Sequence, residues 1–221
     1  MLTVHHLNNS RSQRVLWLLE ELGLPYEIRH YQRDARTMLA PPELKAIHPL
    51  GKSPVITDGP ATLAETGAIV ETLVDAFGGG RLKPPPGSED RLRWLYWMHY
   101  AEGSAMPPLL MKLVFTALPA RAPFLVKSIV QGIAAQAQKT FIDPQLKAHF
   151  DFWEAELTRS EWFAGEEFSA ADIMMSFPVE AAADRANALH GRPKLKAFLD
   201  RIHARPAYKA ALEKGGPYAY A

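Results

Sequence analysis

Three consecutive glycines at 78–80 and three consecutive prolines at 84–86 fall within ten residues that close on Gly87. Neither a helix nor a strand continues through such a stretch, because glycine forfeits backbone entropy and proline lacks the N–H that both kinds of ladder need. The chain is therefore expected to divide here. We place a first domain at residues 1–78, a linker at 79–87 and a second domain at 88–221.

Before the linker, short β-forming runs alternate with helical ones. Thr3 to Leu7 reads as a strand that Asn8-Asn9 ends. Ser10-Arg11-Ser12-Gln13 has capping-box spacing and opens a helix with Val15, Leu16, Leu18, Leu19 and Leu22 on its apolar stripe, stopped by Gly23 and Pro25. Tyr26 to Tyr31 is a second strand, and because a helix connects the two they are predicted to be parallel. A short helix around Glu43 to Ile47 follows. Then come a hairpin, Val55 to Thr57 with Thr62 to Ala64 across the Asp58-Gly59-Pro60 turn, and a helix carrying Ala68, Ile69, Leu73 and Phe77. The order βαβαββα is that of a thioredoxin-like domain.

Beyond the linker we find no strand, and the second domain is expected to be all-α. Ser88 is placed as the cap of a helix on which Leu92, Leu95, Tyr96, His99 and Tyr100 share a face, with Pro107-Pro108 interrupting it. Helices over Leu109 to Thr116 and Phe124 to Ile142 are separated by Pro119 and Pro123. Asp143-Pro144 restarts a helix with Asp as N-cap, carrying Leu146, Phe150, Trp153 and Leu157. Phe168-Ser169-Ala170-Ala171-Asp172-Ile173 combines a capping box with a hydrophobic staple and fixes the start of a buried helix. Leu195, Phe198, Leu199 and Ile202 mark the last one.

Composition narrows the chemistry. Lys and Arg number 25 against 24 Asp and Glu, so no overall field recruits nucleic acid or an anionic membrane. The absence of cysteine excludes disulfides, thiolate metal sites and a cysteine nucleophile. The eight histidines show no metal-ligand spacing; His5-His6, on one strand, point to opposite faces. No basic-then-apolar leader opens the chain and no apolar run approaches the ~20 residues that span a bilayer, so a cytoplasmic protein with no membrane span is expected.

The stretch Pro49-Leu-Gly-Lys-Ser-Pro-Val55 sits at a loop-to-strand junction. A cis Ser53-Pro54 bond there would leave the N–H and C=O of Ser53 outside the sheet and free to grip an extended peptide, whereas a trans bond would merely start a strand. Ser10 likewise has two readings on local sequence alone, as helix cap or as hydroxyl donor.

Ser10 at the first strand-to-helix turn, Gly51-Lys52-Ser53-Pro54-Val55, Glu65-Thr66-Gly67-Ala68-Ile69 and the Ser169-Ala170-Ala171-Asp172 box, in this order, resemble the soluble glutathione transferase superfamily along nearly the whole chain. The similarity is greatest to bacterial and fungal members with a serine at the active position. The resemblance implies a homodimer that binds glutathione as co-substrate without a metal and joins its thiolate to a small hydrophobic electrophile. Ser10 is implied as the catalytic hydroxyl, with Ser12 and then Asn9 as alternates. Ser12, two residues into the helix, is expected to face away from the turn, and Arg11 to be exposed. Lys52 would reach the glycyl carboxylate, Ser53 before Pro54 would hold the cysteinyl segment through its backbone, and Glu65 and Thr66 would hold the γ-glutamyl ammonium and carboxylate. Thr66 stands where the family usually has serine, and Ser53 where an aliphatic residue is common. The stripe of Tyr96, Tyr100 and Met106 is expected to line the electrophile pocket, with His99 a packing residue.

The chemistry can be weighed against these residues. A free thiol of pKa near about 8.5 is mostly protonated at neutral pH, and each unit of lowering needs about 1.4 kcal/mol in favour of the anion. A hydroxyl bonded to a thiolate contributes about 1.5 to 3 kcal/mol and a helix N-terminus about 0.3 to 1, together about one to two units. Glutathione-dependent peroxidase activity needs only the same thiolate and stays open, as does a non-catalytic scaffold on the same fold. Thiol-disulfide exchange by the protein is disfavoured, because the chain has no thiol.

Overall fold

The computed structural model describes residues 1–220. Four strands form one mixed sheet in the order β2-β1-β3-β4, with β1 (Thr3–Leu7) parallel to β2 (Glu27–Tyr31) and antiparallel to β3 (Val55–Asp58), which pairs in turn with β4 (Ala61–Ala64). Helix α1 (Ser12–Leu22) joins β1 to β2, α2 (Pro42–Ile47) precedes β3, and α3 (Thr66–Phe77) follows β4, so the expected βαβαββα order is present. Residues 78–88 carry neither helix nor strand. After them the chain is helical: α4 (Glu89–Tyr100), α5 (Met106–Arg121), α6 (Lys127–Ala137), α7 (Asp143–Arg159), α8 (Ala170–Ala186), α9 (Pro193–Ala204) and α10 (Pro206–Gly215). Among the described residues no single helix is long and apolar enough to cross a membrane.

Helix α8 is the axis of the packing. Every residue from Ala170 to Ala182 is buried, and the helix touches α1, α3, α4, α5 and α9. Its start is the predicted capping box: Asp172 Oδ2 accepts the Ser169 N–H at 2.9 Å, and Oδ1 accepts the Phe163 N–H at 2.9 Å. Burial outweighs these bonds and pushes the Asp172 carboxyl up to about 6. Helix α1 lies between the sheet on one side and α8 and α10 on the other, so Val15 to Leu19 are buried without exception and the helix has no solvent face in its first half.

Several local expectations are corrected. The box expected at Ser10-Arg11-Ser12-Gln13 does not form: the Gln13 amide is buried without a partner, and Ser10 Oγ instead accepts the Ser12 N–H at 3.3 Å. Pro107-Pro108 does not break the helix. A π-helical turn at Ala101–Ala105 carries α4 directly into α5 and places Pro107 and Pro108 in a first turn, where a missing N–H costs little. Helix α5 likewise passes Pro119 to end at Arg121. A second π turn, Gln138–Ile142, joins α6 to α7, so Asp143 is already helical and its carboxylate takes Lys112 Nζ at 2.8 Å instead of capping. Ser88 does cap α4, accepting the Arg91 N–H at 3.2 Å.

Candidate active site

The turn leaving β1 sets the site. Asn9 adopts a positive φ of 48°, which reverses the chain and sets Ser10 immediately before the first turn of α1. Across from it, the loop before β3 makes the cis Ser53-Pro54 bond that the sequence suggested. The β1–β3 register ends at His5 opposite Val55. The Leu7 N–H, which would meet the backbone of residue 53 if the ladder continued, donates to Ser53 Oγ at 3.3 Å instead. Ser53 Oγ donates in turn to the His5 carbonyl at 2.8 Å. The side chain thus ties the loop to β1, leaves the Ser53 backbone outside the ladder, and stands 3.4 Å from Ser10 Oγ.

Ser12 does not face away. Because α1 is packed on all sides, the Ser12 hydroxyl is enclosed and bridges Ser10 Oγ at 2.7 Å to His6 Nδ1 at 2.9 Å. Burial, with His30 close by, lowers His6 to about 4, so its ring is neutral at ordinary pH. Asn9 is exposed, and its Oδ1 accepts the Ala219 N–H at 2.9 Å, which ties that side chain to the C-terminal segment.

Arg11 is not the exposed residue expected. Its Nε lies 3.0 Å from Glu102 Oε2, and its guanidinium sits 5.2 Å from the Phe177 ring. The other oxygen of Glu102 pairs with Arg14, whose side chain is only 1% exposed. Arg14 also donates to the Met174 carbonyl at 2.7 Å and, at 3.5 Å, to Thr66 Oγ1. One guanidinium therefore joins α1, the π turn, α8 and the start of α3. Burial works to raise the Glu102 carboxyl, but Arg14 and Arg11 outweigh it and hold the group below its ordinary range.

Glu65 immediately precedes α3 with φ 72° and ψ 122°, a left-handed-side conformation that favours glycine and costs a larger residue about 1 to 3 kcal/mol. Its carboxylate is exposed, and Thr66 beside it is buried at the helix N-terminus. Lys52 is exposed in the loop next to Ser53. Ser10, Ser12 and Ser53 are thus brought together, while Thr66 is reached by Arg14 from the same helix, α1.

Leu92, Leu95, Tyr96, His99 and Tyr100 line one open cavity, with the Tyr96 and Tyr100 rings stacked at 5.3 Å, but the two tyrosines differ in burial. Tyr96 faces outward with Leu92 and Leu95, whereas Tyr100 turns inward, where its hydroxyl accepts Trp153 Nε1 at 2.9 Å and pairs with His149. Met106 is core. A helix with aromatics on every side gives no single face by periodicity; the face that packs is Trp94, Trp97, Met98 and Tyr100. The apolar groups next to the Ser10 turn come from elsewhere: Phe177 on α8 and Tyr218 and Tyr220 of the C-terminal segment, whose rings are linked edge-on, Phe177 to Tyr220 at 5.5 Å and Tyr218 to Tyr220 at 5.3 Å. Sequence reasoning missed His6, Arg14, Glu102 and Phe177. The one available signal is an arginine directly before the apolar run Val15 to Leu19.

Comparison with known proteins identifies the family. Residues 10–76 match the glutathione S-transferase N-terminal domain model and residues 106–206 the C-terminal domain model. Glutathione S-transferase 3 of Schizosaccharomyces pombe is 36% identical over 218 residues, covering 97% of this chain and 88% of the relative. Glutathione S-transferase 1 of Saccharomyces cerevisiae is 33% identical over 223 residues, covering 97% and 95%. The crystal structure of a glutathione S-transferase from Actinobacillus pleuropneumoniae superposes with a TM-score of 0.81 at 32% identity, covering 97% of this chain and 93% of that one. With both domain models matched and relatives above 30% identity over nearly the whole length, the chain belongs to the glutathione S-transferase family.

Proposed function

We propose that this transferase conjugates the glutathione thiolate to small hydrophobic electrophiles, with Ser10 as the hydroxyl that serves the sulfur. The observation that carries this reading is the position of Ser10 Oγ, nearly buried and 3.4 Å from Ser53 Oγ, beside a residue-53 backbone left outside the sheet. An extended cysteinyl segment paired with Ser53 brings its sulfur to Ser10. The strained Glu65 and the N-terminus of α3 at Thr66 fit an α-amino acid end, carboxylate on the N–H groups and ammonium on Glu65. Lys52, exposed beside them, serves the glycyl carboxylate as a solvated charge. On this reading residues 1–78 bind glutathione, 79–87 link, and 88–221 carry the second-substrate side. Phe177, Tyr218 and Tyr220 replace the α4 stripe as its apolar wall.

Homodimerisation is part of the same proposal, and the outward apolar face of Leu92, Leu95 and Tyr96 supports it. The test of function is retention on immobilised glutathione together with turnover of a chloronitroarene. Binding without conjugation leaves the fold and removes the conjugation reading; a hydroperoxide turned over in its place assigns the peroxidase reaction.

A further inference from the structure

Helices α5 and α6 form a hairpin whose tip is apolar and left uncovered by the rest of the chain. From Leu110 to Ile133 no residue is buried; Leu109 and Ala134 are the last on each arm to reach the core. The turn between the helices, Phe124–Val126, holds Phe124 at 90% and Leu125 at 87% exposure. Leu118 near the end of α5, and Ile129 and Ile133 one helical turn apart on α6, are exposed as well and extend the apolar surface along both arms. The fold gains nothing from side chains held in water, and a patch of this extent marks a contact surface.

Charge says what that surface meets. Residues 103–142 contain four of the 25 basic residues, Lys112, Arg121, Lys127 and Lys139, and none of the 24 acidic ones, which leaves 21 against 24 elsewhere. The near balance of the whole chain thus hides a hairpin of one sign. Lys112 pairs with Asp143 at 2.8 Å, whereas Arg121, Lys127 and Lys139 are exposed and have no acidic partner among the described residues. Arg121 stands three positions before Phe124 and Lys127 three after it, so the apolar tip is flanked by cations. A second copy meeting the tip across a two-fold axis would set cation against cation. Phe124 and Leu125 also project from a turn, so a rigid partner must supply a matching hollow, while acyl chains conform to them.

We propose that the α5–α6 tip docks the protein on an anionic lipid bilayer. Phe124 and Leu125 enter the boundary between headgroups and acyl chains, and Arg121 and Lys127 reach the anionic headgroups beside them. The contact lies on the bilayer and does not span it: the exposed arm of α5 from Leu110 to Arg121 rises about 17 Å, short of a hydrocarbon core of about 30 Å. Small apolar electrophiles partition into the same layer, so docking brings the transferase to them. The docking itself does not depend on how the sulfur is held.

The test is sedimentation of the full chain with vesicles of phosphatidylcholine alone and of phosphatidylcholine mixed with phosphatidylserine. Binding to the mixed vesicles is expected, weaker by about tenfold or more on the neutral ones and in high salt. Phe124→Ser combined with Leu125→Ser should weaken it by about tenfold or more, and Arg121→Gln and Lys127→Gln by about fivefold each. All four side chains are exposed, so these variants should melt with the parent. Phe124→Trp adds a readout of depth: the five native tryptophans are at most 7% exposed, so an emission blue shift on adding mixed vesicles, quenched by brominated acyl chains, comes from the tip. No sedimentation with either vesicle, equal binding to both, binding unchanged in the double serine variant, or a tip tryptophan that brominated lipid does not quench overturns the proposal. A parent dimer that dissociates in the double serine variant assigns the tip to a second copy and overturns it too.

Discussion

Replacing Glu102 with alanine strands a buried charge, the guanidinium of Arg14. The Arg14 guanidinium is 1% exposed and commits Nη1 to the Met174 carbonyl at 2.7 Å. Its other terminal nitrogen faces Glu102 and, at a longer 3.5 Å, Thr66 Oγ1. Opposite charges in contact at an effective dielectric of about 20 attract by about 4 kcal/mol, and breaking a buried pair from one side costs about 3 to 5 kcal/mol. Glu102 is 32% exposed, so water softens the loss and the lower figure, about 3 kcal/mol, applies. For a chain of this size each kcal/mol moves the melting point by about 2 to 4 °C, so Glu102→Ala is expected to melt about 6 to 12 °C below the parent. The assay is thermal unfolding by circular dichroism of the parent, Glu102→Ala, Arg14→Met and the double variant. Removing both charges takes the stranded guanidinium away, so the double variant is expected to melt above Glu102→Ala. A Glu102→Ala melt within about 2 °C of the parent, or a double variant as unstable as the sum of the singles, refutes the argument that the pair is held against burial.

Ser10→Ala removes one charge-assisted bond of about 1.5 to 3 kcal/mol from the thiolate, so conjugation of a chloronitroarene should slow by about 10- to 150-fold with glutathione retention preserved. Loss of retention in step with rate would mean that Ser10 holds the peptide and not the sulfur. His6 is lowered from 6.5 to about 4, so between those values the unfolded chain binds the extra proton; the contribution is complete above pH 6.5 and is lost as pH falls toward 4. At pH 5 the loss is about 2 kcal/mol, a drop of about 1 M in urea midpoint relative to neutral pH, and His6→Asn should lack this component. Glu65→Gly relieves the positive φ and Glu65→Ala does not: both should lose retention on immobilised glutathione, while only the glycine variant keeps or raises the parent's melting point. Retention unaffected in both would show that Glu65 does not hold the ligand.

What the sequence made legible is what short-range chemistry dictates. The Asn8-Asn9 turn, the Asp58-Gly59-Pro60 hairpin, the Ser53-Pro54 junction and the Ser169–Asp172 box each depend on residues within a few positions of one another, and each was found. Periodicity failed where packing surrounds a helix. On α4, Trp94, Trp97 and Met98 compete with Leu92, Leu95 and Tyr96 for the apolar stripe, and only the third dimension decides between them. Pro107-Pro108 reads as a break because a proline pair interrupts an ordinary helix, while the π turn before it resets the register so that both fall in a first turn. Arg14 was invisible for another reason. Its partners Thr66, Glu102 and Met174 lie 52, 88 and 160 residues away, and no local pattern records them.

The polar groups at the start of α1 point to different elements: Ser12 to β1, Arg11 to the π turn, Arg14 to the π turn, α3 and α8. Two guanidiniums meet a single carboxylate there, and Arg185 also acts on Arg11, so positive charge is in excess at the turn that carries Ser10. A thiolate held by Ser10 would complete the neutralisation. The same excess costs folding energy in the free protein, since like charges repel across the Phe177 ring, 5.2 and 5.4 Å from the two guanidinium carbons. A second acid that balanced Arg11 would stabilise the fold and remove the field that favours ionised sulfur. The imbalance is therefore better explained by what the site must attract than by what the fold requires.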